Sequence, residues 1–554
     1  MRKYSGLCVL ALAAVACVQA QSQYKMVPIL ENFDTPIPNS SETFDPDVEV
    51  GFSIDESYTC FINQGSDSYA GVWLFNSSNN TFTELVKLGD VAPGTGGLTF
   101  TAFGAGPYCV VKGLHVIFTG DTGPSGLAGY YSVSVNGGLP RVIANQNTIL
   151  PGPNTTGTYP QFTAADFQTV FQADDIHVVF NAYPLNANEG VFGADVGGGP
   201  GEMLTEIAGP PDEVYPTGTC TGATPPFTTF MEPRIAAQST NPLLENLAYL
   251  GFPPGLGIYY GNVLVQQGLT GTPACMPGIT GAIQDIYTQI AIDNEHVYLA
   301  EDNGGSLDYV SQVDFDGSNL APILGEDTPL PGMPGYPYSI YGMTAQFGTL
   351  VFIASYTDPT SGSQATALFT YKSGVGFTRV IGTGDSVFGG PSGSVPVWLG
   401  ENGLSNGNIV FGWRDNGTPS SSGEGIVIAE PAVCAANVSA DLKVKFGTPT
   451  QVPNTYQWDQ TATIRNTGTT TVNGPVSMVL YGLSPFTSSG VTLLNPAGVT
   501  RCTGLAPLGN PYVVLNKGQS IAPGQVVRRE LQFNSPFGNP ANTYTTALFS
   551  GAER

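Results

Sequence analysis

The stretch Leu114–Gly152, LHVIFTGDTGPSGLAGYYSVSVNGGLPRVIANQNTILPG, decides the fold because its pattern returns six more times along the chain. It holds an apolar strand-like segment, a second one that opens on a small residue, and a third that ends in a Pro/Gly turn. The centre of the first segment recurs at intervals of 49 to 70 residues, at Phe61, Phe118, Phe180, Leu250, Leu299, Ile353 and Phe411. Self-similarity at this length predicts a repeat protein.

Each repeat is expected to contain four strands, A to D. In six of the seven repeats the third strand begins with a small residue: Gly71, Gly129, Gly190, Gly257, Ala367 or Gly425. The fifth repeat has Asp308 there, and no strand D follows Glu430. The N-terminal segment VPILENFD, 27–34, reads like APILGED, 321–327, and can supply the missing strand. This arrangement predicts an all-β, seven-bladed β-propeller that is closed by an N-terminal strand, leaving few exposed strand edges.

The repeat pattern ends near residue 431, which places the propeller at 24–431. A short run rich in small residues, 432–440, reads as a linker. From 441 to 554, seven short alternating segments are separated by Gly, Pro and Asn turns. Such spacing is typical of an immunoglobulin-like β-sandwich, which we predict as the second domain.

The repeats resemble those of uncharacterised secreted β-propeller proteins, mostly bacterial, whose blades share a D-T-x-x-P-G turn followed by an F-x-x-F strand. Here the matching pieces are GDVAPG with FTAF, QNTILPG with YPQF, EDTPLPG with YSIY, and GDSVFGG with VPVW. The resemblance covers about residues 24–431 and implies a propeller fold and secretion. It implies no established activity, so no functional residue is carried over.

Residues 1–20 have a basic start, an apolar core and a small-residue exit, which predicts a signal peptide and a secreted, extracellular protein. No other segment is long and apolar enough to span a bilayer, so membrane insertion is not expected. The formal net charge is −25, a balance that disfavours nucleic acid and anionic lipid as partners. This excess of acidic residues can serve either to keep the protein soluble or to attract cations.

Six cysteines remain after the signal peptide, an even number that predicts disulfide bonds in an oxidising compartment. Cys220 and Cys275 lie in equivalent loops of neighbouring blades, which is the only pairing with a geometric argument among fifteen. Cys434 with Cys502 would tie the second domain to its linker, which leaves Cys60 with Cys109. Six N-x-S/T sequons predict a glycoprotein if the source is eukaryotic, at Asn39, Asn76, Asn79, Asn154, Asn416 and Asn437.

Acidic residues recur in the loops expected on one face of the propeller. The candidates for ligand or metal binding are Asp34, Asp90, Asp327, Asp385, Glu301 and Asp302. Their carboxylates could bind Ca²⁺, the one cofactor considered, or two of them about 5 to 9.5 Å apart could cleave a glycosidic bond. Alternatively, each Asp hydrogen-bonds its own turn, and its recurrence in most repeats favours this reading because a catalytic residue should be unique.

The three histidines occupy one repeat position, in LHVIF, IHVVF and EHVYL. Because His115, His177 and His296 then lie in different blades, they are not expected to share a metal or complete a catalytic triad. We found no G-x-S-x-G, P-loop, H-E-x-x-H or paired C-x-x-C motif. This leaves no recognised catalytic motif and favours a non-enzymatic protein.

Two functions remain from the sequence. The first is recognition or assembly in a matrix or at a cell surface, with an extracellular protein or a neutral glycan as the partner of the acidic loop face. The second is a carbohydrate-active hydrolase or lyase with an acidic active site at the propeller centre. An enzyme should show two carboxyls, or a Tyr with a cation, converging in a pocket that breaks the repeat symmetry.

Overall fold

A computed structural model describes most of the chain after residue 22. The described residues are 23–45, 51–64, 69–103, 109–123, 128–149, 171–182, 190–197, 204–208, 229–235, 247–252, 256–260, 263–268, 285–302, 308–314, 319–325, 328–333, 338–358, 361–388, 395–414, 424–483 and 490–554. The predicted signal peptide lies outside them. The structure is all-β, and within these ranges it contains seven four-stranded antiparallel sheets and two five-stranded ones.

Six of the four-stranded sheets are built from consecutive strands. Sheet 1 contains β2 (Phe52–Asp55), β3 (Tyr58–Asn63), β4 (Gly71–Asn76) and β5 (Thr81–Lys87), and sheet 2 contains β6 (Cys109–Lys112), β7 (His115–Gly120), β8 (Gly129–Ser134) and β9 (Arg141–Asn145). Sheet 3 contains β10 (Phe171–Ala173), β11 (His177–Ala182), β12 (Gly190–Asp195) and β13 (Thr205–Ala208), and sheet 4 contains β14 (Thr229–Ile235), β15 (Leu247–Phe252), β16 (Leu256–Tyr260) and β17 (Val263–Gly268). Sheet 5 contains β18 (Asp285–Ile292), β19 (His296–Asp302), β20 (Asp308–Asp314) and β21 (Ala321–Leu324), and sheet 6 contains β22 (Tyr338–Gln346), β23 (Thr349–Thr357), β24 (Gln364–Lys372) and β25 (Gly376–Gly382).

Sheet 7 takes its fourth strand from the start of the chain. It contains β26 (Val395–Ser405), β27 (Asn408–Arg414) and β28 (Glu424–Ala432), and β28 pairs antiparallel with β1 (Gln23–Glu31). The first strands of successive sheets contact one another, and β26 of sheet 7 contacts β2 of sheet 1. The contacts between neighbouring sheets therefore run from the first sheet to the last and back to the first.

The sheets are buried on both faces because each packs against two neighbours. In β7, for example, every residue from Val116 to Gly120 is buried. One apolar cluster joins sheets 7 and 1 through Leu30 of β1, Phe52 and Ile428. This position lies in cores shared between sheets at Phe61, Phe118, Phe180, Ile353 and Phe411, which explains why it is apolar there.

A close backbone approach requires the small residue at the start of several third strands. A Cβ on Gly71 would lie 2.3 Å from the carbonyl oxygen of Val86, and one on Gly129 would lie 2.5 Å from that of Ala144. Sheet 6 reverses the arrangement, with Gly382 in the fourth strand opposite Ala367 in the third. The outer strand therefore crosses too near the third strand for a larger side chain.

The C-terminal residues form two five-stranded sheets around one apolar core. The first contains β29 (Ala436–Asn437), β38 (Thr545–Ser550), β33 (Val476–Tyr481), β36 (Pro511–Leu515) and β35 (Gly498–Val499), and the second contains β30 (Leu442–Phe446), β32 (Gln457–Asn466), β37 (Val526–Asn534), β34 (Thr492–Leu493) and β31 (Thr450–Gln451). Short 3-10 helices occur at Thr503–Leu505, Asn516–Gly518 and Pro540–Asn542. The core includes Met478, Leu531 and Phe533. All seven segments predicted as strands after residue 440 contain strands.

The C-terminal sheets are attached to sheet 7 along β1. The Met26 N–H donates to the Arg501 carbonyl over 2.8 Å, and the Tyr24 N–H donates to Thr503 Oγ1 over 2.9 Å. A disulfide between Cys434 and Cys502 ties the end of β28 to the same loop. The chain segment around Cys502 is therefore held at the outer edge of β1.

Candidate functional site

The recurring acidic turn follows the fourth strand of the sheets, and its side chain accepts a hydrogen bond from that strand. The Lys87 N–H donates to Asp90 Oδ2 over 3.0 Å, and the Gly382 N–H donates to Asp385 Oδ2 over the same distance. In three other sheets a threonine hydroxyl accepts the equivalent hydrogen bond from a backbone N–H. The pairs are Glu31 N–H to Thr35 over 2.8 Å, Asn145 N–H to Thr148 over 2.9 Å and Gly325 N–H to Thr328 over 3.2 Å. These side chains stabilise turns.

Asp385 makes further contacts that the other turns lack. Its side chain is 2% exposed, its Oδ2 lies 2.8 Å from Nη1 of Arg379, and its Oδ1 accepts from the Leu508 N–H over 2.9 Å. The Ser386 N–H also donates to the Leu508 carbonyl over 3.3 Å. Asp385 therefore joins the turn of sheet 6 to a loop of the C-terminal sheets, and its carboxylate is saturated by protein donors.

The remaining acidic candidates form no shared site in the described part of the chain. Asp34 is exposed. Asp327 lies outside the described residues, and Glu301 and Asp302 are described only as backbone at the end of β19. Asp90 and Asp385 lie in turns of different sheets. Among the residues described, no three His, Cys, Asp or Glu side chains are grouped so that they could hold a metal ion.

The histidines begin the second strand of their sheets. His115, His177 and His296 face Ser134, Asp195 and Asp314 on the third strand. Nδ1 of His177 lies 3.2 Å from Asp174 Oδ2, and Asp174 also accepts from the Ile176 and His177 N–H groups. In sheet 3 the His177 side chain thus helps to close the turn between the first two strands.

The same turns connect neighbouring sheets through hydrogen bonds that the sequence did not reveal. A polar residue at the end of one first strand, or directly after it, accepts from a backbone N–H in the turn of the next sheet. In these hydrogen bonds the backbone N–H is the donor and the side-chain oxygen is the acceptor. They join Gly113 N–H to Asp55 over 2.8 Å, Gly348 N–H to Asp293 over 2.9 Å, Asn406 N–H to Gln346 over 2.8 Å and Glu56 N–H to Ser405 over 2.9 Å. Sequence analysis could have found these residues as polar side chains ending apolar strands.

The centre of the molecule holds little free volume where it is described. A cavity of about 10 Å³ lies between the first strands of sheets 3, 5, 6 and 7, and Gln172, Ile292, Thr344 and Asn402 are among its lining residues. Nδ2 of Asn402 donates to the Ala173 carbonyl over 2.8 Å, which joins sheet 7 to sheet 3. A space of this size holds about one water.

A larger groove lies between sheet 6 and the first strand of sheet 7. It encloses about 350 Å³ and is lined by Ser339, Tyr341, Ile353, Ser355, Thr357, Gln364, Thr366, Val395, Pro396 and Val397. The pairing of β22, β23 and β24 sets Ser339 opposite Ser355, and Ser355 opposite Thr366. Because alternate residues of a strand share a face, Tyr341, Ile353 and Thr357 lie on the same side as these hydroxyls.

The polar groups of this groove are neutral and free to bind. None of the described side chains that line it carries a charge. The hydroxyls of Ser339, Tyr341 and Ser355 have no hydrogen-bond partner among the described residues, and the Tyr341 side chain is 49% exposed. The groove therefore offers a row of hydroxyls, one amide and an accessible aromatic ring, above apolar walls of Ile353 and Val395 to Val397.

Two of the predicted cysteine pairs are present as disulfides, Cys60–Cys109 and Cys434–Cys502. The first joins β3 to β6, in neighbouring sheets 1 and 2. Cys220 and Cys275 lie outside the described residues. Of the sequon asparagines, Asn39, Asn79 and Asn437 are exposed, Asn76 is half-buried, and Asn154 and Asn416 lie outside the described part.

No helix in the described part of the chain is both long and apolar enough to cross a bilayer. This finding concerns helices alone.

Comparison with known proteins finds neither a matching family model nor a matching curated protein. Among solved structures, the β-propeller domain of the Trilobed protease from Pyrococcus furiosus is 8% identical, with a TM-score of 0.38 over 70% of this chain and 95% of that one. The WD40 β-propeller domain of Doa1 is 10% identical, with a TM-score of 0.31 over 71% and 95%. A polysaccharide lyase, ulvan lyase, is 8% identical, with a TM-score of 0.33 over 73% and 95%. The structural neighbours are β-propeller proteins, but similarity at this level carries no argument about function.

Proposed function

We propose that the protein is a secreted, non-enzymatic recognition protein that binds a neutral glycan in the groove between sheets 6 and 7. The seven four-stranded sheets would be the blades of one ring, closed by β1, and the C-terminal sheets an immunoglobulin-like module. The observation that carries the functional proposal is the uncharged groove, in which several hydroxyls without protein partners lie beside the exposed ring of Tyr341.

The chemistry of the groove matches a neutral sugar better than a charged one. The hydroxyls and the Gln364 amide can both donate and accept, as sugar hydroxyls do. The flat apolar face of Tyr341 can pack against the C–H face of a pyranose ring. A uronate or sulfated sugar would require a cation, and the groove lining has none. The volume of about 350 Å³ lies within the usual range of small-ligand sites.

The test is retention of the purified mature protein on a panel of neutral and acidic polysaccharides, followed by titration with the oligosaccharide that binds. Tyr341→Ala should weaken binding about tenfold, because an aromatic contact contributes about 1 to 2 kcal/mol. Tyr456→Ala, on the C-terminal sheets and 64% exposed, is the matched control and should bind like the wild type.

The outcomes separate the proposal from its alternatives. Selective retention on acidic polymers, or equal binding by the Tyr341→Ala and wild-type proteins, would contradict it. Failure to bind any glycan would shift the search to an extracellular protein partner. Cleavage of a bound polymer would favour the hydrolase or lyase function, for which the Tyr341 phenol is the one acid–base candidate in the groove lining.

A further inference from the structure

A second cleft lies where the first strand meets the C-terminal sheets, and it shares no lining residue with the glycan groove. It encloses about 420 Å³ between β1, the turn after β25 and the end of β35. Apolar side chains contribute part of its lining, from Pro28, Ile29, Leu30, Val387, Phe388 and Val499, of which Ile29, Leu30 and Val387 are themselves buried. The charged residues that line it are Glu31 and Arg501. The cleft is large enough for a small molecule or for one side chain of a partner.

Arg501 is held at this cleft by its backbone. Its N–H donates to the Arg554 carbonyl over 2.8 Å, and its carbonyl accepts from the Met26 N–H over 2.8 Å. The next residue, Cys502, forms the disulfide with Cys434. The position of the Arg501 Cα is therefore determined by three connections to other parts of the chain, and a ligand would not have to order it.

The guanidinium of Arg501 differs from those of Arg379 and Arg414, which are also partly buried. Arg379 and Arg414 each form an ion pair, with Asp385 and Glu424. The half-buried Arg501 has neither an ion pair nor a hydrogen bond from its guanidinium to any described residue. Burial lowers the pKa of Arg501, and the neighbouring Tyr512 opposes this in part. A cation taken partly out of water without an anion is unfavourable unless a ligand supplies the anion.

We propose that this cleft binds a ligand with one carboxylate and an apolar body, with the carboxylate on the Arg501 guanidinium. The guanidinium fork matches a carboxylate in two parallel hydrogen bonds. The apolar walls would take the body of the ligand, as in a branched or aromatic acid or the apolar C-terminal residue of a peptide. A single carboxylate fits better than two, because Glu31 already places a negative charge in the same cleft.

Calorimetric titration of the full mature protein tests the assignment with pairs of probes that differ only in charge. 3-Phenylpropionate and a tripeptide that ends in a free Leu carboxylate represent the two sources of the chemistry, and the corresponding amides are the controls. We expect at least one acid to bind and its amide to bind at least about tenfold more weakly, as for the loss of a charged hydrogen bond. Which acid binds more tightly distinguishes a free acid from a peptide end.

Variants at one position test whether Arg501 is responsible. Arg501→Gln should lose the preference for acid over amide, and Arg501→Lys should keep part of it because the charge remains without the fork. Arg465→Gln, which removes an exposed arginine from β32, should bind like the wild type. Equal affinity for acid and amide, an unchanged preference in folded Arg501→Gln, or no saturable binding up to about 10 mM would overturn the proposal. A chemical-denaturation midpoint close to that of the wild type serves as the test that each variant is folded.

Discussion

Among single residues, the aspartate in the turn after the fourth strand forms more contacts in sheet 6 than in sheet 1. Asp90 and Asp385 both accept from the N–H three residues earlier, but only Asp385 also binds Arg379 and the Leu508 N–H. The sequence predicted the shared turn role because a short polar side chain recurred before a turn. The additional role could not be predicted, because Leu508 is 123 residues away along the chain.

Replacing these two aspartates should therefore have unequal effects on the free energy of unfolding. Asp385→Ala should lower it by about 2 to 4 kcal/mol, because Arg379 and two N–H groups lose a buried acceptor. Asp90→Ala, the matched control, removes one turn hydrogen bond and should cost about 1 kcal/mol. Chemical denaturation of both variants measures the difference, and equal losses would contradict the role assigned to Asp385.

His115 should make stability depend on pH. Burial lowers its pKa, and Arg141 lowers it further, so the folded protein binds a proton there less readily than the unfolded chain. The stability linked to neutral His115 is complete above the unfolded pKa of about 6.5 and is lost as pH falls through that value towards the lower folded pKa. Between about pH 7 and pH 5, the wild type should lose more unfolding free energy than His115→Gln. Identical pH dependence in the two proteins would rule this out.

At the scale of elements, the turns between first and second strands connect the sheets. Asp55, at the end of β2, accepts from Lys112 Nζ over 2.6 Å, from the Gly113 N–H over 2.8 Å and from Ser405 Oγ over 3.2 Å. Lys112 is 3% exposed, so its ammonium depends on this carboxylate. One side chain thus joins sheet 1 to both of its neighbours.

This junction should show strong coupling between its two charges. Asp55→Ala alone should lower the free energy of unfolding by about 3 kcal/mol, because the buried Lys112 ammonium then keeps only the exposed Asp175 carboxylate, 3.8 Å away. Adding Lys112→Met should restore much of that loss, since the unpaired charge is then removed. A double-mutant cycle in guanidinium chloride measures the coupling. Simple additivity of the two losses would show that the ion pair is not buried as described.

The strands themselves were largely predictable, whereas the groove was not. The repeated apolar anchors and the small residues at Gly71 and Gly129 were visible because each sheet imposes the same packing and the same close backbone approach. The groove depends on the pairing that sets Ser339 opposite Ser355, and on the position of β26 beside sheet 6. A shift of one residue reverses the face of every later side chain, and sequence spacing does not reveal it.

At the scale of the whole molecule, the two ends of the described chain meet. β1 completes sheet 7, the Cys502 loop lies along β1, and Lys25 Nζ lies 3.0 Å from the Glu553 carboxylate. The pairing of an N-terminal strand with β28 was predictable because VPILENFD matches the fourth strand of another repeat. The cleft at Arg501 was not, because it exists only where segments about 470 residues apart come together.

The most direct test of the account is to incubate the mature protein with the polysaccharide that it retains best and to count new reducing or unsaturated ends over a long incubation. We predict stable retention with no new ends above the buffer control, because the described residues show a neutral groove and acidic turns whose carboxylates serve the fold. New ends that appear with the wild type and disappear with Tyr341→Phe, or with a change of one acidic residue, would contradict the account and identify the protein as an enzyme.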